Sequence, residues 1–313
     1  MTPPQPAKSR LAIPPGLRDM MLASLLFAVM AALVKEVEHD LPVGYAVFAR
    51  SAIGLVLSVI LLRRAGLDWR GNRPGLLALR GLVGFSALLC TFQSLSLIPL
   101  SDAVILQQTQ PLWVVVLARI FLGEKTRRRV VLATIIALAG VVLVVRPRFL
   151  FGLPETHELD PLGVGLALAA ALLSAGAYVS VRALRRTDEP LVVVFWFAFV
   201  ATPASLPLVF IGPHGPAGPR LPNGYEALLL LGIGLAVQGA QMLMTRALHR
   251  EPAGRVAAVG YLQVVYAALF GVLVFGETLS PLAVAGAVLV IAGALLATLE
   301  RPQRTLDTHP RVG

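Results

Sequence analysis

Cysteine occurs once in the 313 residues, at Cys90, which rules out an intrachain disulfide and with it a secreted disulfide scaffold. Charge is scarce as well. Asp, Glu, Lys and Arg make up 14% of the chain, where soluble domains carry about 25%, and apolar side chains reach 57%. A soluble core that absorbed so much apolar chain would leave too little polar surface to enclose it. The mean hydropathy of +0.78 points instead to a multi-span membrane protein. None of His39, His157, His214, His249 and His309 forms a His-x-x-x-His zinc pair. The chain also lacks a Gly-x-x-x-x-Gly-Lys-Ser/Thr phosphate loop and a Gly-x-Ser-x-Gly nucleophile elbow. The sequence therefore gives no reason to expect direct ATP drive, a catalytic residue, a metal or a cofactor.

What is abundant is apolar run. A bilayer core about 30 Å thick needs roughly 20 such residues per helix, and ten runs bounded by charge, Pro or Gly come close: 19–35, 43–62, 76–97, 101–122, 130–145, 162–181, 191–211, 227–248, 253–275 and 281–299. The first has a basic flank but no small-residue cleavage site, and reads as an uncleaved span.

Basic residues set the orientation, because Lys and Arg in short loops stay cytoplasmic. Taking alternate loops, eighteen lie on one side, including Arg63, Arg64, Lys125 and Arg127 to Arg129, against Arg146, Arg148 and Arg220 on the other. The second side also holds the acidic stretches 36–40 and 155–160. Both termini are expected in the cytoplasm, in a cell (inner or plasma) membrane. The formal charge of +10 is then a topology signal, with the bilayer as partner and no nucleic acid.

The two halves match. Lys35 and Arg182 end similar segments 147 positions apart, and Gly123-Glu124 matches Gly276-Glu277 at an offset of 153, which also pairs Pro99 with Pro252, Gln110 with Gln263 and Gly140 with Gly293. Each repeat has five helices. Because five is odd, the second copy must enter the membrane from the opposite side, an inverted repeat of the kind used for alternating access. The basic run after Glu124 and its lack after Glu277 agree with this. The expected organisation is a tail (1–17), a first repeat (18–146), an external connector (147–161), a second repeat (162–299) and a tail (300–313).

With Lys35 and Arg182 ending paired helices, Ala49-Arg50 in the second helix, Ser101-Asp102-Ala103 opening the fourth, Gln110-Pro111 in its middle and the two Gly-Glu turns, the chain resembles a ten-span, EamA-type member of the drug/metabolite transporter superfamily. The resemblance covers about Arg18 to Leu299. It implies an all-α membrane protein of ten helices around a central cavity, working as a monomer. It also implies movement of small metabolites, as in bacterial amino-acid and metabolite exporters, without naming the substrate. The second half departs from the pattern at Ala198, opposite Arg50, and at Arg255, opposite Asp102.

Polar side chains in hydrocarbon are costly unless they face the bundle interior or water, so those inside the runs are the candidate site. Gln107 and Gln110 share a helix face, beside Pro111, which removes a backbone hydrogen bond. Gln238 and Gln241, Gln263 and Tyr266, Ser86 and Gln93, and Ser174 and Tyr178 follow helical spacing. Trp113, Tyr178 and Tyr266 offer aromatic walls for a small-molecule substrate. The bland alternatives are interhelical hydrogen bonds for the glutamines and packing for the rings. Arg50 either holds a substrate anion or pairs with Asp102 or Glu36. Lys35 is expected at the interface.

All seventeen acidic residues fall in tails, loops or span ends, where a coupling group that changes charge with the cavity is not expected. Uniport or exchange is therefore the leading reading, and a proton-coupled antiporter using Asp102 the alternative. A receptor, a scaffold and an intramembrane enzyme are the competing classes; solute movement in proteoliposomes separates them.

Overall fold

The computed structural model describes residues 13–38, 40–151, 160–210 and 220–299. Most of both tails and the acidic connector stretch 152–159 lie outside the described residues, as does the end of the seventh run. Ten helices are long and apolar enough to cross a membrane: α1 (Pro15–Val37), α2 (Val43–Ala65), α3 (Pro74–Leu97), α4 (Leu100–Leu122), α5 (Arg128–Val145), α6 (Pro161–Leu184), α7 (Pro190–Val209), α8 (Gly224–Arg250), α9 (Ala253–Phe275) and α10 (Pro281–Thr298). No strand occurs among the described residues.

The sequence punctuates these helices at both ends. Proline occupies the first helical position of α1, α3, α6, α7 and α10, where its missing N–H costs nothing and its fixed φ suits the helix. A reciprocal pair between Asn223 and Glu226 opens α8. Gly66, Gly123 and Gly276 close α2, α4 and α9 in the left-handed region. Gly123 and Glu124 both aim their N–H groups at the Ala118 carbonyl, and Gly276 and Glu277 do the same to Gly271. The two Gly-Glu turns thus share one backbone geometry.

Two helices are broken at mid-length. α4 stops at Gln107 and restarts at Gln110, because Pro111 has no N–H to offer the carbonyl one turn back. α9 breaks at Tyr261, without a proline. The breaks meet: the Tyr261 hydroxyl donates to the Gln108 carbonyl at 2.7 Å, and the two residues are 153 positions apart.

Packing runs mainly between the halves, α1 against α8, α3 against α6, α2 against α7 and α5 against α10. At one end of the bundle Arg250 of α8 pairs with Asp19 of α1 at 2.7 Å. At the other, Tyr225 donates to Glu36 and Lys35 pairs with Glu277, so α1 and α8 run in opposite directions. Arg182 ends α6 beside the Leu248 and His249 carbonyls, at the Asp19 end. On α5 and α10 small residues bring the backbones together. A Cβ on Gly140 would stand 2.5 Å from the Gly286 carbonyl oxygen, and one on Gly293 2.7 Å from that of Ala133.

Candidate functional site

Eight helices, all but α5 and α10, surround a central cavity of about 220 Å³. Its polar side chains are Arg50 of α2, Arg80 and Thr91 of α3, Gln110 of α4, Ser174 and Tyr178 of α6, Gln241 of α8 and Gln263 of α9; Phe27 and Phe197 are among its apolar walls. The Gln110 side chain enters just after the α4 break, where the helix restarts.

Arg80 is the most constrained of these. It is 3% exposed, donates from Nη2 to Gln241 Oε1 at 3.2 Å and sits 4.7 Å from the centroid of the Phe197 ring, a cation–π distance. Gly84, one turn along α3, makes the room: a Cβ there would lie 2.5 Å from Arg80 Nη1. Among the described residues, Arg80 Nε and Nη1, Arg50 Nε and Gln110 Nε2 are buried without a hydrogen-bond partner. Tyr178 adjoins both Arg80 and Gln110.

The residues singled out from the sequence separate into two groups. Arg50, Gln110, Tyr178, Gln241 and Gln263 converge on the cavity. The remainder do not line it. Gln107 donates to Ser94 Oγ and Gln238 to Ser58 Oγ, each joining two helices. Trp113 is 38% exposed, Tyr266 packs against the main apolar cluster, and Ser86 is exposed. Asp102 is fully buried, outside the cavity lining. Sequence reasoning passed over Arg80, although a charge six positions beyond Pro74, inside the third apolar run, was a usable signal.

A wider vestibule of about 1000 Å³ lies toward the Lys35 end, with Glu38, Val47, Cys90 and Gln93 among its lining. Val47 is one turn from Arg50 on α2, and Cys90 and Gln93 flank Thr91 on α3, so the vestibule stacks directly above the cavity. The two ends differ in closure. At the Arg182 end, Arg182 pairs with Glu124 at 2.6 Å, the side chains 8% and 17% exposed, and Glu124 Oε2 also accepts the Ala253 N–H at 3.0 Å. Burial, then the neighbouring Arg182, holds the pKa of Arg185 in this cluster below its ordinary value, with Glu124 opposing. Lys35 and Glu277 also pair, at 2.5 Å, but are 49% and 54% exposed. No group of three or more His, Cys, Asp or Glu side chains suited to a metal occurs among the described residues.

The family model described as the EamA-like transporter family matches residues 16–146 and 161–299. This chain belongs to that family. Among curated proteins it is 34% identical to the pseudopaline exporter CntI of Pseudomonas aeruginosa, over 90% of this chain and 94% of that one. It is 28% identical to the mouse solute carrier family 35 member G1, over 91% of this chain and 78% of the relative. A solved crystal structure superposes with a TM-score of 0.76 at 22% identity, covering 91% of this chain and 96% of the other, which speaks to the fold. As an EamA-like chain with transporter relatives, the protein is a multi-pass membrane transporter of small metabolites and not an enzyme.

Proposed function

We propose that this EamA-like protein exports a small polar metabolite, amino-acid-like in size, by alternating access between inverted halves 18–146 and 162–299, as a monomer with both termini in the cytoplasm. The observation that carries the reading is the cavity, whose polar lining comes from helices of both halves. Its volume of about 220 Å³ falls below the roughly 300–1,000 Å³ of sites for drug-sized ligands, which favours a metabolite over a drug. The exporter among the relatives supports the outward direction.

Paired contacts support the inversion. Gly140 meets Gly286 and Ala133 meets Gly293, and the offset of 153 turns one contact into the other. Lys35–Glu277 and Glu124–Arg182 exchange as well, at offsets of 147 for the basic residues and 153 for the glutamates, as a twofold axis between equivalent halves requires. Cysteine labelling in a Cys90→Ser background tests it: cysteines replacing Thr126 and Thr278 should react from opposite faces of the membrane, and reaction from one face would refute the inversion.

Transport by uniport or exchange, without proton coupling, fits a cavity with no acidic side chain among its described lining residues and a fully buried Asp102 outside that lining. The central test is counterflow in proteoliposomes. A Gln110→Leu, Gln263→Leu double variant should fold and lose most counterflow; undiminished affinity would remove the cavity as the site. Accumulation driven by a pH gradient and abolished in Asp102→Asn would replace uniport by proton coupling.

A further inference from the structure

This inference rests on the reading that the central cavity holds the transported solute, and it names that solute's charge. We propose that the cavity binds an organic anion carrying two carboxylates, one held by Arg80 and the other by Arg50. Two guanidinium groups line a small space at membrane depth. Among the described residues neither forms an ion pair, and no Asp or Glu lines the cavity. Arg80, 3% exposed, is a buried charge without a counter-charge, which is strongly unfavourable, and the solute is where that counter-charge comes from. Arg80 keeps donors on Nε and Nη1 without partners while Gln241 and Phe197 fix its head, the posture of a group positioned for an acceptor.

The repeat is compatible with this assignment. One pair of charges that joins the halves is duplicated: Lys35 and Arg182 occupy equivalent places and pair with equivalent glutamates. The cavity arginines are not. Ala198 stands opposite Arg50, and positions 147 to 153 beyond Arg80 run Ala227 to Ile233, all apolar or glycine. A single solute site needs no copy in the other half. A zwitterionic amino acid fits less well, because its ammonium group finds only amide and hydroxyl oxygens among the described lining residues. An inside-negative membrane potential also expels an anion, which suits export that uses no proton.

Purified protein in detergent provides the test, with thermal midpoints read against succinate, its neutral diamide succinamide, alanine, putrescine and inorganic phosphate. Succinate should raise the midpoint and the other four should not. Arg80→Gln should weaken succinate binding on the order of tenfold or more, with Arg80→Lys between it and wild type, and Arg50→Gln should act in the same direction. Removing an uncompensated charge should also leave the ligand-free midpoint of Arg80→Gln at or above that of wild type. The proposal is overturned if succinamide, alanine or putrescine binds as well as succinate, if phosphate alone binds, if nothing in the series binds, or if both Gln variants keep full succinate affinity. Counterflow separates this outcome from the parent reading. Succinate that binds through Arg80 but does not cross proteoliposomes leaves the anion site standing and removes the cavity as the transport site. A neutral or cationic solute that crosses independently of Arg80 does the reverse.

Discussion

Arg80 needs space as much as a counter-charge, and Gly84 provides it. Gly84→Ala would place a methyl group 2.5 Å from Nη1 and 3.1 Å from the Phe197 ring, and the flexible guanidinium is the part that must move. Counterflow should then show KM raised on the order of tenfold, the equivalent of about 1.4 kcal/mol, with a small change in thermal midpoint. Unchanged KM would mean that the position of the head does not matter. Tyr261→Phe tests a different kind of contact. It removes the donor to the Gln108 carbonyl at the break in α4, and an unsatisfied buried carbonyl costs about 1–3 kcal/mol, so the thermal midpoint should fall. The sequence showed Gln110, Gln241, Gln263 and Tyr178 because a polar group in an apolar run needs a reason. It did not separate them from Gln107 and Gln238, which have the same pattern, because that depends on Ser94 and Ser58 standing on neighbouring helices within reach. Trp113 and Tyr266 lie outside the cavity lining for a related reason: beyond Gln110 and Gln263 the second parts of α4 and α9 are largely apolar, so little in the chain says which face turns inward.

Among the elements, the ten helices were legible because apolar length and flanking charge are one-dimensional signals, and the structure extends most of them by only a few residues beyond the apolar runs. The α4 break was legible too, since Pro111 announces it. The α9 break was not, because no proline marks it; the Tyr261 hydroxyl at the break meets the Gln108 carbonyl of a helix far away in sequence. The seam between α5 and α10 was visible only as the matched glycines Gly140 and Gly293; the part played by Gly286, against the Gly140 carbonyl and the Val144 side chain, needed the structure. Gly286→Leu should force the helices apart and cost about 1–3 kcal/mol or more, seen as a lowered thermal midpoint and reduced yield. Gly165→Leu on α6, where a Cβ meets nothing within 4 Å, is the control and should be tolerated. Equal damage from both would mean that close approach on the seam is unimportant.

At the scale of the whole molecule, the Arg182 end is held by a largely buried ion pair and the Lys35 end by an exposed one, which under the proposed alternating access is a state open toward Lys35. Glu124→Gln should therefore favour the opposite state and slow reaction of Cys90, in the vestibule, with a thiol reagent on that side, on the order of tenfold. Glu277→Gln should leave the rate unchanged or raise it; slowing by both would argue against two alternating gates. The pairing of α1 with α8, α3 with α6 and α5 with α10 also has a consequence for how the protein is made. Each repeat packs mainly against the other. When the ribosome has finished the first five helices, α1, α3 and α5 have been made before any of those partners has been synthesised, and Arg50 and Arg80 still lack the helices of the second half that line the cavity with them. The half-made chain is the vulnerable species, so residues 1–146 expressed alone should be degraded, and co-expression with 147–313 should rescue them as a pair that purifies together.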